Sequence, residues 1–363
     1  MNIAFYISGH GFGHASRQVE IINAFAARCP DARILVRSTA ARWLLERTVK
    51  VPFELSADPT DTGVIQTDSL HLDAAATIAA ARDFYATLDA RAEAEARWLR
   101  ARDAALVISD APPLACAAAA RAGIPSIVVA NFTWDWIYQA YEEHLAAAPD
   151  LIATIQDAYR KADAAWRLPM FGGFEAFETV LDVPFVARHS SSTAEQTRAR
   201  VGLPRDKCLA LPSFGGFGIE GLDLDAVDLP PGWDIVRGLE QAEIYDAGLS
   251  YEDLVRAVDV VITKPGYGIV SECLANDTPL VYTSRGRFAE YDVFVREMPM
   301  YLRCAYLENA ALLAGRWRAA IETACNAPPP PRRPRTDGAS VVADMMAACL
   351  RDATSSGLRP LRS

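Results

Sequence analysis

Metal-ligand clusters, paired cysteines, a basic excess and long apolar runs are all missing from these 363 residues. The seven cysteines (Cys29, Cys116, Cys208, Cys273, Cys304, Cys325 and Cys349) are scattered, with no Cys-x-x-Cys pair. Their odd number and apolar settings, as in Leu114-Ala115-Cys116-Ala117, suit reduced core thiols in a cytoplasmic protein. No His, Cys and acid cluster stands at ligand spacing, so no metal is expected. A formal net charge of −10 argues against nonspecific nucleic-acid binding, which needs a basic face. It leaves room for a local anion pocket. No apolar run approaches the ~20 residues of a transmembrane helix. The N-terminus has no basic n-region and reaches a glycine loop at once, so no signal peptide is expected.

What is present is a balance of 51% hydrophobic and 23% charged residues, in a chain long enough for two domains. Residues 2–7 predict a first strand and 16–28 a first helix. A second strand over 32–37 precedes a helix near 40–48, and 55–72 looks loop-rich. The segment 73–102 has no Pro or Gly and predicts one long helix. Strands at 105–110 and 127–130 flank a helix over 113–122, and 135–165 looks mostly helical. Near 184–206 the texture turns polar, which places a linker there. A second βα series follows: strands at 209–211, 233–236, 258–263 and 279–283, with helices at 251–257, 269–276 and about 338–352. The predicted architecture is α/β. Two doubly wound Rossmann-like domains, 1–188 and 207–352, face a cleft across the linker 189–206, with a tail over 353–363.

Chemistry concentrates at strand ends. Ser8-Gly9-His10-Gly11-Phe12-Gly13-His14-Ala15-Ser16-Arg17 stands between the first strand and the first helix. Its glycines permit sharp turns and close approach of a ligand to the backbone, and the helix start offers free N–H groups. Asp110 closes a strand and precedes Ala111-Pro112-Pro113. A His–Asp pair suits a general base. His14 is the candidate and His10 its competitor, while Asp110 also reads as a cap of the next helix. In the second half, Thr263-Lys264-Pro265-Gly266-Tyr267-Gly268-Ile269-Val270-Ser271-Glu272 is again strand, glycine turn, helix, a geometry that suits a diphosphate. Lys264 offers a positive charge. Glu272 offers acceptors for ribose hydroxyls, or simply favours a helix start. Ser213-Phe214-Gly215-Gly216-Phe217-Gly218 reads as a cap over the phosphates or as an ordinary turn. Glu290 and Asp292, after Ser284-Arg285-Gly286-Arg287, read as sugar ligands or as a solvated turn. The aromatics of Asn131-Phe132-Thr133-Trp134-Asp135-Trp136 stack on sugars or fill a core.

Taken together, these blocks resemble the GT-B glycosyltransferases. The similarity is strongest to the N-terminal glycosyltransferase-like region of plant L-arabinokinases. It runs through Gly9 to Ala15, Val107 to Asp110, Asn131 to Asp135, Arg167-Leu168-Pro169, Asp182-Val183-Pro184, Phe214-Gly215-Gly216 and Gly266 to Glu272. The resemblance implies an inverting transferase, with His14 as base steadied by Asp110. The donor side would comprise Phe214, Gly215, Gly216, Lys264, Gly266, Tyr267, Gly268, Ser271, Glu272 and Glu290. The acceptor side would comprise Gly11, Gly13, Trp134 and Asp135. It implies a nucleotide-sugar co-substrate, by family frequency a UDP-sugar, a hydroxyl acceptor, and no metal, because helix and backbone donors stabilise the leaving diphosphate. The alternatives are a non-catalytic sugar-nucleotide-binding module and a GT-B-type epimerase. Kinase activity is not implied, since the residues after 352 are too few for a kinase domain. Lys264 departs from the small or polar residue of better-known donor loops. A dinucleotide dehydrogenase is disfavoured, because the first loop lacks Gly-x-Gly-x-x-Gly and the second strand ends in Arg37.

Overall fold

The computed structural model describes residues 1–215, 219, 221–239 and 241–356. Seven strands build the first sheet: β1 (Asn2–Tyr6), β2 (Arg33–Arg37), β3 (Phe53–Ser56), β4 (Ala104–Ser109), β5 (Ser126–Phe132), β6 (Ala164–Gly172) and β7 (Val180–Asp182). Five build the second: β8 (Cys208–Ser213), β9 (Trp233–Ile235), β10 (Val260–Thr263), β11 (Leu280–Tyr282) and β12 (Cys304–Tyr306). The orders are β3-β2-β1-β4-β5-β6-β7 and β12-β11-β10-β8-β9, and all pairings within them are parallel. The central strands are apolar on both faces, as parallel strands covered by helices must be. Ile3, Ala4 and Phe5 of β1 and Val260, Val261 and Ile262 of β10 are all buried.

The covering helices of the first domain are α1 (Phe12–Arg28), α2 (Arg42–Thr48), α3 (Ala74–Tyr85), α4 (Leu88–Ala101), α5 (Pro113–Ala122), α6 (Trp134–Gln139), α7 (Glu142–Leu145) and α8 (Leu151–Tyr159). Then come α9 (Ala194–Arg200), α10 (Gln241–Asp246), α11 (Tyr251–Ala257), α12 (Tyr267–Asn276), α13 (Ala289–Glu297), α14 (Asn309–Leu313), α15 (Arg318–Asn326) and α16 (Gly338–Ser356). The last helix crosses back. Val342, Ala343 and Met346 are buried, and α16 lies along α1 of the first domain.

The predicted long helix over 73–102 is two helices. Thr87 ends the first, its N–H and hydroxyl both pointing at the Phe84 carbonyl (3.3 and 3.0 Å). Threonine competes for backbone acceptors in this way. The region 135–165, read as mostly helical, ends in the first residues of β6, and β6 and β7 fill the stretch up to Asp182. The linker holds α9, opened by a capping box between Thr193 and Gln196.

The site follows from strand order. In the first sheet the winding direction changes between β1 and β4, and in the second between β8 and β10. Loops leaving the carboxyl ends of such neighbours part to opposite faces and leave a crevice. The loops after β1, β4, β8 and β10 carry the His14, Asp110, Phe214 and Lys264 segments.

Candidate active site

On the first domain, Gly11 (φ +79°) turns the chain after β1 and caps the start of α1. A side chain there would pay a left-handed backbone penalty. His14 lies in the first turn of α1, with only 9% of its surface exposed. Its Nδ1 is hydrogen-bonded to Asp110 Oδ2. Asp110 is fully buried, held beside β1 by its N–H to the Tyr6 carbonyl (2.9 Å). It does not cap α5, whose cap position is Pro112. Arg17, one turn beyond His14, donates from Nη2 to Asp110 Oδ1 and from Nη1 to Asn131 Oδ1 (2.7 Å). Burial alone would raise the Asp110 pKa. The Arg17 charge and the hydrogen bonds with Arg17 and His14 outweigh it and hold the carboxyl well below its ordinary range.

His10 stands beside this pair, its ring 6.4 Å from that of His14. It packs edge-on to Trp134 and parallel to Phe288, and its Nε2 meets Gln66 Nε2 at 3.2 Å. Burial first, then the neighbouring His14, Arg285 and Lys264, push its pKa down to about 3. Trp134 is buried, roughly parallel to His14 (6.4 Å, 25°), and donates from Nε1 to Asp61 Oδ2 (2.9 Å). Asp135 is not brought to His14: Gln156 of α8 donates to its Oδ2 (3.1 Å).

On the second domain, Gly266 caps α12, and the two glycine loops abut. A Cβ on Gly13 would lie 3.7 Å from the Gly268 nitrogen, and one on Gly268 would lie 3.2 Å from Gly13 Cα. Ser271 donates to the Gly268 carbonyl (2.9 Å). The Tyr267 ring lies under the Arg17 guanidinium at 5.0 Å, while its hydroxyl accepts from Val186 N–H (3.2 Å). Glu272 Oε1 accepts from Arg188, at 2.9 Å from Nε, and Glu252 meets the same guanidinium at 3.1 Å. Burial raises the Glu272 pKa against the opposing pull of Arg188. Glu290 Oε1 accepts from Asn131 (2.8 Å), which joins the second domain to the Arg17–Asp110–His14 chain. Phe214 is buried and its carbonyl accepts from Ser69 (2.7 Å). Gly215 is open (φ +74°), and Gly216 lies outside the described residues. Lys264 Nζ donates to Gln66 Oε1 (3.2 Å). Burial and the Arg285 charge, against a smaller pull from Asp68, lower its pKa to about 7.

Three participants were not singled out from sequence. Arg17 ends the first glycine segment, and its signal is spacing: at i+3 from His14 it shares that helix face. Asp61 sits in irregular chain and Arg188 at the last position of the first domain, where no periodicity marks them. Among the described residues no three His, Cys, Asp or Glu side chains gather as a metal site.

Two parallel doubly wound sheets facing each other across abutting glycine loops define the GT-B glycosyltransferase fold. A glycosyltransferase of kitacinnamycin shares it (TM-score 0.56, 17% identity, 98% of this chain and 97% of that one). So does UGT89C1 of Arabidopsis thaliana (0.56, 14%, 99% and 96%). Phytolacca americana UGT2, solved with UDP-2-fluoro-glucose and pterostilbene, is a third (0.54, 12%, 98% and 95%). In sequence, the chain is 32% identical over 340 residues to L-arabinokinase of Arabidopsis thaliana. That match takes in 90% of this chain, which spans about a third (32%) of that relative's length. No protein-family profile matches the chain. Among the described residues no helix is long and apolar enough to cross a membrane.

Proposed function

We propose that this chain is an inverting glycosyltransferase that moves a sugar from a nucleotide-sugar to a hydroxyl acceptor. The observation that carries this is the His14–Asp110 pair placed where the N-termini of α1 and α12 meet. Asp110 fixes the imidazole through Nδ1, leaving Nε2 to accept the acceptor's proton as its oxygen attacks the anomeric carbon. Arg17 keeps Asp110 ionised. The leaving diphosphate lies at the start of α12, where the N–H groups of Tyr267, Gly268 and Ile269 lack carbonyl partners within the helix. Gly266 lets it approach, Lys264 adds charge, and this donor set supplies the stabilisation without a metal. Both Arg188 bonds to Glu272 fall on Oε1, leaving Oε2 for a ribose hydroxyl. Glu290 faces the sugar, Phe214 and Gly215 border the nucleotide, and Gly11, Gly13 and Trp134 border the acceptor. A UDP-sugar is the default donor.

The test is a thermal-shift panel of nucleoside diphosphates and their sugars, then transfer assays with His14→Ala. A nucleotide at 100 times its Kd stabilises by about 2.7 kcal/mol. Loss of the base lowers turnover by about 10²–10⁴. No shift with any nucleotide sinks the donor site. Undiminished transfer by His14→Ala sinks the base. Binding without turnover points to a sugar-nucleotide-binding module, and release of an epimerised sugar without acceptor points to an epimerase.

A further inference from the structure

Two cations sit at the cleft wall of the second domain without an anion of their own. Lys264 follows β10 and Arg285 follows β11, and together they flank the Gly266 cap of α12. Arg285 Nη1 lies 3.8 Å from where a Gly266 Cβ would stand. Among the described residues neither forms an ion pair. Lys264 has Gln66 Oε1 as its described partner. The Arg285 guanidinium lies over the Phe288 ring at 3.4 Å, and its Nε is buried without a hydrogen-bond partner. Burial depresses the charge of both.

The nearby acids are engaged elsewhere. Asp68 accepts from the Leu70 and His71 amides (2.6 and 2.9 Å) and meets His71 Nδ1 at 2.8 Å. Glu290 accepts from Asn131 through Oε1 and acts on Arg285 by its charge without an ion-pair contact. A further donor waits on the first-domain side: the Tyr141 hydroxyl is buried without a partner, and the Arg285 charge opposes the rise that burial gives its pKa. Two partly buried cations and an unused Nε–H on the second-domain wall, with an unused hydroxyl on the first-domain side, are costly unless an anion joins them. Gln66, from the first-domain segment 57–73, presents a carbonyl oxygen to Lys264 much as an anion's oxygen would.

We propose that Lys264, Arg285 and Tyr141 form an oxyanion site in the cleft, taking a phosphate or carboxylate group of the ligand, with Gln66 holding Lys264 until that group arrives. This rests on reading the cleft as a donor site and deepens it: the site favours a donor with strong oxyanion character. The group's source is the diphosphate or an acidic sugar. Arg285 is suited to it, since its planar fork meets two oxygens at once.

Calorimetric titration of the full chain with pyrophosphate, UDP, UDP-glucose and UDP-glucuronate tests this, in wild type, Arg285→Gln, Arg285→Lys, Lys264→Gln and Tyr141→Phe. Circular dichroism checks that each variant is folded. With the diphosphate as source, Arg285→Gln and Lys264→Gln weaken all four ligands at least tenfold, Tyr141→Phe weakens them less, and Arg285→Lys recovers part. With an acidic sugar as source, the loss is confined to UDP-glucuronate. Unchanged affinities in folded Arg285→Gln and Lys264→Gln overturn the site while leaving the donor reading intact. Pyrophosphate binding that needs both cations, with no binding of the uridine nucleotides, keeps the site and removes that donor reading. No binding of any of the four ligands to wild type overturns both.

Discussion

At the scale of single residues, Asp110 is held by opposing effects. Its burial disfavours charge, and Arg17 and His14 restore it. Removing the charge while keeping the shape, by Asp110→Asn, strands Arg17 in a buried setting. A broken buried pair costs about 3–5 kcal/mol, so urea unfolding should show a loss of that order at pH 7. The folded-state pKa of Asp110 is depressed. Its contribution is therefore present above the unfolded-state value near ~4 and fades as pH falls through the folded value. Asp61 behaves in the opposite sense. Burial raises its pKa to about 6, against the pull of His14 and the Ser8 and Trp134 hydrogen bonds. Neutral Asp61 suits the fold, so stability it contributes below ~4 is lost as pH rises through about 6, by up to about 3 kcal/mol. Chemical denaturation at pH 4.5 and 7.5 should show a smaller decline in Asp61→Asn than in wild type; equal slopes would dismiss Asp61 as the source. The His14–Asp110 adjacency was legible in the sequence, because doubly wound order puts both residues at neighbouring strand ends. The Glu272–Arg188 contact was not, because an arginine in irregular chain at the end of the first domain carries no periodic mark.

At the scale of elements, legibility follows length and punctuation. The helix over 113–122 has Pro at its start and Gly123 just after it, and its predicted bounds match α5. The start of α12 was visible as a glycine turn behind an apolar strand. By contrast β6 reads Ala-Ala-Trp-Arg-Leu-Pro-Met-Phe-Gly, with no alternation and a proline that usually demotes a strand. It is tolerated because β7 pairs only along Ala165 to Arg167 and the β5 register shifts between Arg167 and Gly172, so neither ladder uses Pro169. Among the three-residue strands, β9 and β11 fall inside the predicted strands 233–236 and 279–283, whereas β12, Cys304–Tyr306, offers too few positions for a pattern and was not predicted. The approach of α1 to α12 yields a prediction of its own. Gly13→Ala meets ordinary contact distance, whereas Gly268→Ala puts a methyl 3.2 Å from backbone, which cannot swing aside as a side chain can. Gly268→Ala should therefore push the loops apart and weaken nucleotide binding several-fold, with Gly13→Ala close to wild type. Equal affinities in calorimetry would show that this approach is immaterial to the ligand.

At the scale of the whole molecule, the two domains are joined by more than the linker. Helix α16 returns to α1, where Arg28 pairs with Asp344, and Arg47 reaches Asp246 at 2.7 Å. The segment 57–73 reaches across from the first domain to the second. Ser69 bonds the Phe214 carbonyl, Gln66 holds Lys264, and Leu70, 4% exposed, sits in the apolar cluster of Ala210, Phe214, Ile235, Val260 and Ile262. A side chain lent by one domain to the other's core ties their unfolding together. Truncating such a leucine removes about 2–5 kcal/mol of burial and cavity energy. In Leu70→Ala that loss falls on the contact between the domains rather than on either sheet. Scanning calorimetry should then show the transition broadening or splitting in two, with the ratio of calorimetric to van't Hoff enthalpy rising above its wild-type value. A uniform downward shift of a single sharp transition would mean that segment 57–73 merely fills the second core. Splitting would mean that it couples the domains, and that a ligand displacing Gln66 from Lys264 acts on that coupling directly.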